Sequence, residues 1–361
     1  MPRRCITLLL VALLAGCERS EQTSAEPAGF AGLGAAAEDF AEVVPGQPLR
    51  FPEDHGPHPQ YRIEWWYLTA NLTDADGKDW GIQWTLFRQA MTPQDLEAAA
   101  DGWNSTQVWL AHAAVTHADG HRHADRLARG GVGHAGVTSE PFRAWIDDWT
   151  LHGSGNERLS PLQLSAGGDD FGYELQFESP LPMVPQGEQG YSVKSEAGQA
   201  SWYLSQPFYQ VSGEIEWGGE RFAVQGQGWL DREWSSQPLA ADQQGWDWFS
   251  LHLDSGEKLM LFRLRHYDGG HYYSGTWISA EGTPTPLRPE QISMQPLNRV
   301  RVAGRQLATQ WQLDVPDHGL AVSTEALNPQ SWMATGIEYW EGPIRFSGSH
   351  SGVGYLEMTG Y

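Results

Sequence analysis

The sequence predicts an all-β fold of antiparallel strands closed into barrels or sandwiches. Three observations carry this. Short segments rich in aromatic and β-branched residues recur along the chain, separated by Gly, Asp or Pro turns. The 361 residues include 41 glycines and 22 prolines, which suits a fold with many turns. Within the body of the chain only PQDLEAAADGW, after Thr92, reads as helical, so alternating β-α units are excluded.

The chain opens with MPRRCITLLLVALLAGCERS. Arg3 and Arg4, the apolar run Ile6–Ala15 and the small residue before Cys17 make a secretory leader over residues 1–16, too short to span a bilayer. Leu14-Ala15-Gly16-Cys17 resembles a bacterial lipobox, which implies cleavage before Cys17 and lipid on its sulfur. The expected partner there is a membrane, through the Cys17 anchor, and the expected location is the bacterial envelope, facing the periplasm or the exterior. Glu18, where sorting signals for retention carry Asp, favours the outer membrane in a Gram-negative host. Residues 17–48, rich in Ser, Ala, Glu and Gly, are expected to form a flexible tether with a short helix at Ala35–Val44. The only other cysteine, Cys5, leaves with the leader, so the fold is expected to have no disulfide. With 45 acidic against 23 basic residues and a formal charge of −22, the chain is not expected to bind nucleic acid.

The folded part divides into two β-rich blocks, 49–236 and 237–361. The first begins with RIEWWYLTANL, an Asp-Gly turn and the alternating return strand DWGIQWTLFRQ, which read as a hairpin. VWLAHAAVTH and the segment after Asp119-Gly120 form a second hairpin. Further strands are expected at Phe142–Leu151, Gly172–Ser179, Gln199–Tyr209, Val211–Trp217 and Arg221–Leu230. The second block opens with the hairpin WDWFSLHL-DSG-EKLMLFRLRHY. Strands at HYYSGTWISA, Pro286–Met294, Gln306–Val315, Gly319–Thr324 and RFSGSHSGVGYLEMTGY follow.

EWWYLTANL, WLAHAAVTH, GQGWLDREWSSQPL, GWDWFSLHLDSGEKLMLFRLR and YWEGPIRFSGSHSGVGYLEMTGY together resemble the AttH family of secreted hydrolases, over about Phe51 to Tyr361. The first half is similar to a carotenoid 1,2-hydratase domain and the second to a lipocalin-like domain. The resemblance implies two packed lipocalin-like antiparallel β-barrels. It also implies activity of hydratase or cyclase type on polyene-like molecules, and an ABC-type export permease as a partner. In the carotenoid hydratases the suspected proton donor is an Asp in a matching Trp-Asp context, which here is Asp231.

The segment GWLDREW (Gly228–Trp234) places three charges among two tryptophans. On a strand Trp229, Asp231 and Glu233 point one way, and Leu230, Arg232 and Trp234 the other. If the first face lines an apolar cavity, the two carboxyls disfavour ionising together and one remains a neutral acid. Protonating a carbon–carbon double bond then gives a carbocation, for which indole faces are suitable neighbours. The alternative is a buried ion network of Arg232 with the two acids, closing the barrel or joining the domains. Glu64 and Trp66 share one face of their strand, and Glu64 is a candidate catalytic acid that needs a cation beside it. Trp248, Ser250 and His252 form a mixed row of the kind that lines a pocket, with His252 as a further catalytic candidate. His112, Glu338 and Tyr339 are candidate ligand contacts, as are Trp66, Trp229, Arg232 and Trp248. His117, His121, His123 and His134 flank a turn, where a solvated hairpin accounts for them better than a metal; neither metal nor other cofactor is expected. No G-x-S-x-G, H-E-x-x-H or Walker A motif occurs, which speaks against a serine hydrolase.

Two functions remain open. One is a lipid-anchored protein that holds a hydrophobic small molecule, polyene- or lipid-like, in an aromatic pocket. The other is an acid-catalysed hydratase, lyase or cyclase. Beside these two stands a purely structural envelope protein.

Overall fold

The computed structural model describes Ala31, Leu33 and residues 37–361. The expected leader, Cys17 and most of the expected tether lie outside the described residues. Residues 37–44, the described part of the expected helix, are turn and irregular chain instead.

Thirteen strands form the first sheet. They are β1 (Ile63–Asp74), β2 (Asp79–Ala90), β3 (Gln107–His117), β4 (Gly120–Arg129), β5 (Ala135–Ser139), β6 (Phe142–Ile146), β7 (Trp149–Gly153), β8 (Leu162–Gly167), β9 (Phe171–Glu178), β10 (Val184–Pro185), β11 (Tyr191–Val193), β12 (Ala200–Trp217) and β13 (Glu220–Ser235). Their antiparallel path runs β4-β3-β2-β1-β13-β12-β9-β8-β7-β6-β5, with β10 and β11 on β12, and curls into a nearly closed barrel. The helix α1 (Leu96–Ala100) is short, and the Asp95 carboxylate caps it by accepting from the Ala98 amide at 2.7 Å.

Ten strands form the second sheet, a curled half-barrel: β14 (Gln243–Leu253), β15 (Lys258–His266), β16 (His271–Ile278), β17 (Pro284–Leu287), β18 (Ser293–Val302), β19 (Arg305–Val315), β20 (Leu320–Ala326), β21 (Trp332–Met333), β22 (Tyr339–Gly348) and β23 (Gly352–Met358). The sheets part between Ser235 and Gln243.

Four strand assignments change. The segment 286–294 is broken by a 3-10 turn, Pro289–Gln291, between β17 and β18, and the segment 345–361 is the hairpin of β22 and β23. The segment 142–151 is a hairpin, because Asp147 takes a left-handed turn (φ 49) between β6 and β7. Segments 199–209 and 211–217 belong to one strand, β12, whose register against β13 slips between Gln206 and Tyr209. Pro207 sits in that slip and has no amide hydrogen to give the ladder.

Side-chain alternation sorts the apolar residues into three large cores. One fills the first barrel and includes Trp66, Leu68, Leu230 and Trp234. One lies under the second sheet and includes Phe249, Leu251 and Trp311. The third, with Tyr67, Tyr203, Trp229, Trp248 and Phe262, joins the outer wall of the barrel to the second sheet. Where β1, β13 and β14 are covered on both faces, as over Gly228–Ser235 of β13, alternate residues belong to this seam.

Candidate functional site

A cleft of about 220 Å³ opens in the seam, lined by both sheets. β1 contributes Trp65 and Tyr67, β12 Tyr203, and β13 Asp231 and Glu233. The second sheet contributes Trp246, Trp248, Phe262, Tyr339 and Glu357. The register explains the arrangement. Tyr67 lies opposite Asp231, and Trp65 opposite Glu233, across β1 and β13. On the other side of β13, Tyr203 lies opposite Glu233 and Ser205 opposite Asp231. Directly paired residues share a face, so all these side chains leave the sheet together.

Asp231 is 3% exposed, and three hydrogen bonds fix its carboxyl. Ser205 donates to Oδ1 at 2.5 Å, Trp229 Nε1 donates to Oδ1 at 2.7 Å, and Tyr203 donates to Oδ2 at 2.6 Å. Burial outweighs these donors, and with the nearby Glu233 charge it pushes the Asp231 carboxyl up to about 7. Both protonation states are therefore populated at neutral pH. Trp248 Nε1 in turn donates to Tyr203 Oη at 3.0 Å, which ties the second sheet to the Asp231 cluster.

Glu233 is paired. Lys194 Nζ sits 2.9 Å from its Oε1 and also lies over the Tyr203 and Phe262 rings at 4.6 and 4.3 Å. Glu357 faces the cleft from β23 and accepts from Trp246 Nε1 at 2.8 Å. Burial, with the Asp231 and Glu233 charges, raises it to about 7 as well. Behind it, Glu341 is opposite Glu357 in the β22–β23 register and takes a hydrogen bond from Tyr67 of the first sheet. Burial and the Glu357 charge hold Glu341 well above the usual carboxylate range.

His112 also lines the cleft. Its Nδ1 meets Tyr339 Oη at 2.8 Å, a second tie between the sheets. Burial drives its pKa down to about 3, so the ring is neutral.

Of the residues singled out in the sequence, Asp231, Glu233, His112, Trp248 and Tyr339 meet at this cleft. Trp229 backs it as a donor to Asp231. The others lie elsewhere. Glu64, Trp66 and Arg232 point into the barrel, away from the cleft. There Glu64 accepts from Arg232 at 2.7 Å, from Arg88 at 2.9 Å and from His58 Nδ1 at 2.7 Å, and the Arg232 guanidinium stacks on Trp66 at 3.9 Å. Arg232 also donates to the carbonyls of Trp65, Asp54 and Gly56. The charges of Arg232, His58 and Arg88 overcome burial and hold Glu64 far below the usual carboxylate range, so it has no proton to give at neutral pH. The ion network expected of Arg232 with Asp231 and Glu233 does not form: the two acids leave the other face of the strand, and Arg232 pairs with Glu64.

His252 lies farther along β14 from Trp248. It packs edge-on against Trp229 at 5.8 Å, outside the cleft lining. Burial takes its pKa well below 6.5, so it too is neutral. Glu338 is exposed and pairs with Arg305 at 2.8 Å, one residue before the strand that carries Tyr339 inward. His121 and His123 stack at 5.5 Å on β4, and His134 pairs with Asp147 at the surface. Asp247 is held by Arg263 and Arg265 at 2.7 and 2.8 Å and by Tyr361 at 2.7 Å. Each sheet thus has one buried carboxylate between two arginines.

Sequence reasoning missed Tyr203, Lys194 and Glu357. Tyr203 could have been found, since it alternates with Ser205 on an aromatic strand. Glu357 sits in YLEMTGY as the one acid in a run of apolar and small residues. Lys194 lies in the short connection after β11, where nothing in the local pattern marks it.

The model of the AttH-like family matches residues 42–361. A crystal structure of a Nitrosomonas europaea protein described as an AttH is 33% identical; the match covers 89% of this chain and 99% of that one, with a TM-score of 0.78. Kievitone hydratase from Nectria haematococca shares the fold at 14% identity, with 89% and 96% of the two chains covered and a TM-score of 0.64. CghA, solved with Sch210972, shares it at 12% identity, 90% and 97% coverage and a TM-score of 0.53. A search of curated proteins gave no match. The two-sheet fold and the length of the match lead to one conclusion: this chain belongs to the AttH-like family.

Proposed function

We propose that the cleft holds an apolar small molecule and that Asp231 transfers a proton to it, adding water across a carbon–carbon double bond. The observation that carries this reading is the Asp231 carboxyl, which lines an aromatic-walled cleft and is balanced between its two protonation states near neutral pH. The Asp231 proton bonds to one alkene carbon as the π pair moves to it. The positive charge at the other carbon lies beside the Trp248 and Tyr67 rings of the cleft wall. Water then attacks that carbon, and its surplus proton returns to the Asp231 carboxylate. One neighbour of the same fold is by name a hydratase, which is consistent with this chemistry.

A second reading, carriage without turnover, draws on the three hydrogen bonds that already satisfy Asp231. In either case a lipid on Cys17 would hold the cleft at a membrane surface, where apolar guests concentrate and an export permease could receive them.

Incubating the protein with a panel of acyclic isoprenoid alkenes in heavy-oxygen water decides between the two. The hydratase gives labelled alcohol. Asp231→Asn lowers its formation by roughly a hundredfold or more while the alkene still binds. Equal product from the Asn variant overturns the role of Asp231. Binding by the wild type with no product leaves the carrier.

A further inference from the structure

We infer that the guest is a long linear chain of isoprenoid type, and that its apolar tail lies along one row of side chains on the outer wall of the first barrel, from Trp65 to Leu127. This rests on the reading that the cleft holds an apolar small molecule. The strand register builds the row. Tyr203 lies opposite Glu233, Glu233 opposite Trp65, Trp65 opposite Phe87, Phe87 opposite Leu110, and Leu110 opposite Leu127. Directly paired residues share a face, so these side chains stand in line across β12, β13, β1, β2, β3 and β4. Every one of them lines the cleft.

The row changes character along its length. At one end Tyr203 is 1% and Glu233 6% exposed, whereas Leu127 at the other end is 70% exposed. Trp65, Phe87 and Leu110, between them, are half-buried. The polar groups Asp231, Glu233 and Lys194 gather at the enclosed end, and Phe87, Leu110 and Leu127 offer only carbon. A single exposed leucine means nothing by itself, because such residues are common on protein surfaces. Leu127 differs in ending an unbroken apolar row that begins beside the acids and opens to solvent. A guest that covers the row has its polar end at the acids and its hydrocarbon end over Leu127.

The row also sets a length. Neighbouring strands stand about 4.8 Å apart, so the steps from Tyr203 to Leu127 span about 24 Å. An extended linear isoprenoid of about twenty carbons fills a span of about 24 Å, and one of about ten carbons fills half of it. A compact fused-ring molecule occupies the enclosed end alone and leaves Leu110 and Leu127 bare.

Geraniol and geranylgeraniol are the probes: they share one alcohol head, and the second chain is twice as long. Binding to the full chain is followed by tryptophan fluorescence in wild type and Leu127→Asp. Leu127→Asp lowers geranylgeraniol affinity roughly tenfold and geraniol affinity by less than about twofold, because only the longer chain reaches Leu127. Equal changes for both probes, or no change for either, overturn the inference and leave the reading of the cleft standing. No binding of either probe to wild type removes the two together. A wild-type dimer that Leu127→Asp splits, or binding to phosphatidylcholine vesicles that Leu127→Asp abolishes, assigns the row to a second copy or to a bilayer and overturns the inference as well. Should Leu127→Asp fail to fold, Leu127→Ser takes its place with the same outcomes.

Discussion

Asp231 and Arg232 are consecutive in the chain, yet their side chains end in separate compartments. Asp231 enters the seam and meets only uncharged donors from Ser205, Tyr203 and Trp229. Arg232 enters the barrel and meets the Glu64 carboxylate. The strand between them insulates an acid balanced near neutrality from a cation that would otherwise ionise it.

Asp231→Asn changes the pH dependence of stability. An unfolded Asp titrates near 4, whereas Asp231 in the fold titrates at about 7. Between those values the folded state binds more protons than the unfolded state. Stability therefore falls as pH rises through that window, by up to about 1.4 kcal/mol per pH unit, and levels off above it. The Asn variant lacks this share, so its urea midpoint gains on that of the wild type between about pH 4 and about pH 7. A constant gap would contradict the raised Asp231.

Tyr203→Phe removes a donor that favours the ionised form of Asp231. The Asp231 titration moves upward, and the Trp248 indole loses its acceptor. The pH profile of tryptophan fluorescence, compared between wild type and Tyr203→Phe, reads this directly. Only an upward shift fits.

Glu64→Gln strands two buried guanidiniums. Removing one partner of such a cluster costs about 3–5 kcal/mol. Chemical denaturation measures the loss. Geraniol affinity is expected to survive in the fraction that stays folded, since Glu64 lies on the far face of β1. A selective loss of binding with unchanged stability would place Glu64 in the cleft chemistry.

Lys194→Met leaves Glu233 in the cleft without its counter-ion. Folding weakens by about 1–3 kcal/mol, because a buried carboxylate has lost its partner. Chemical denaturation of Lys194→Met measures the loss, and unchanged stability would contradict the pair.

The sequence shows why some of this was legible and some not. Alternation on GWLDREW separates Asp231 and Glu233 from Arg232, because a strand obeys a period of two whatever surrounds it. Which face looks into the cleft depends on the docking of a second sheet, and no local pattern records that. For the same reason Glu64 and Asp231 look alike as acids beside tryptophans, although one is held charged by Arg232 and Arg88 and the other is not. Asp147 and Pro207 altered strand boundaries through backbone conformation, a left-handed turn in one case and a missing amide hydrogen in the other. Lys194 and Glu357 meet their partners only through contacts far apart in the chain.

The Tyr203–Trp248 and His112–Tyr339 hydrogen bonds each join one half of the polypeptide to the other. Neither half therefore owns a complete chamber. A change in the preferred guest must be written in both halves at once, so substitutions that retune Tyr203 or His112 are expected to succeed only alongside matching changes at Trp248 or Tyr339, and cutting the chain between the sheets abolishes recognition even where each piece keeps its strands.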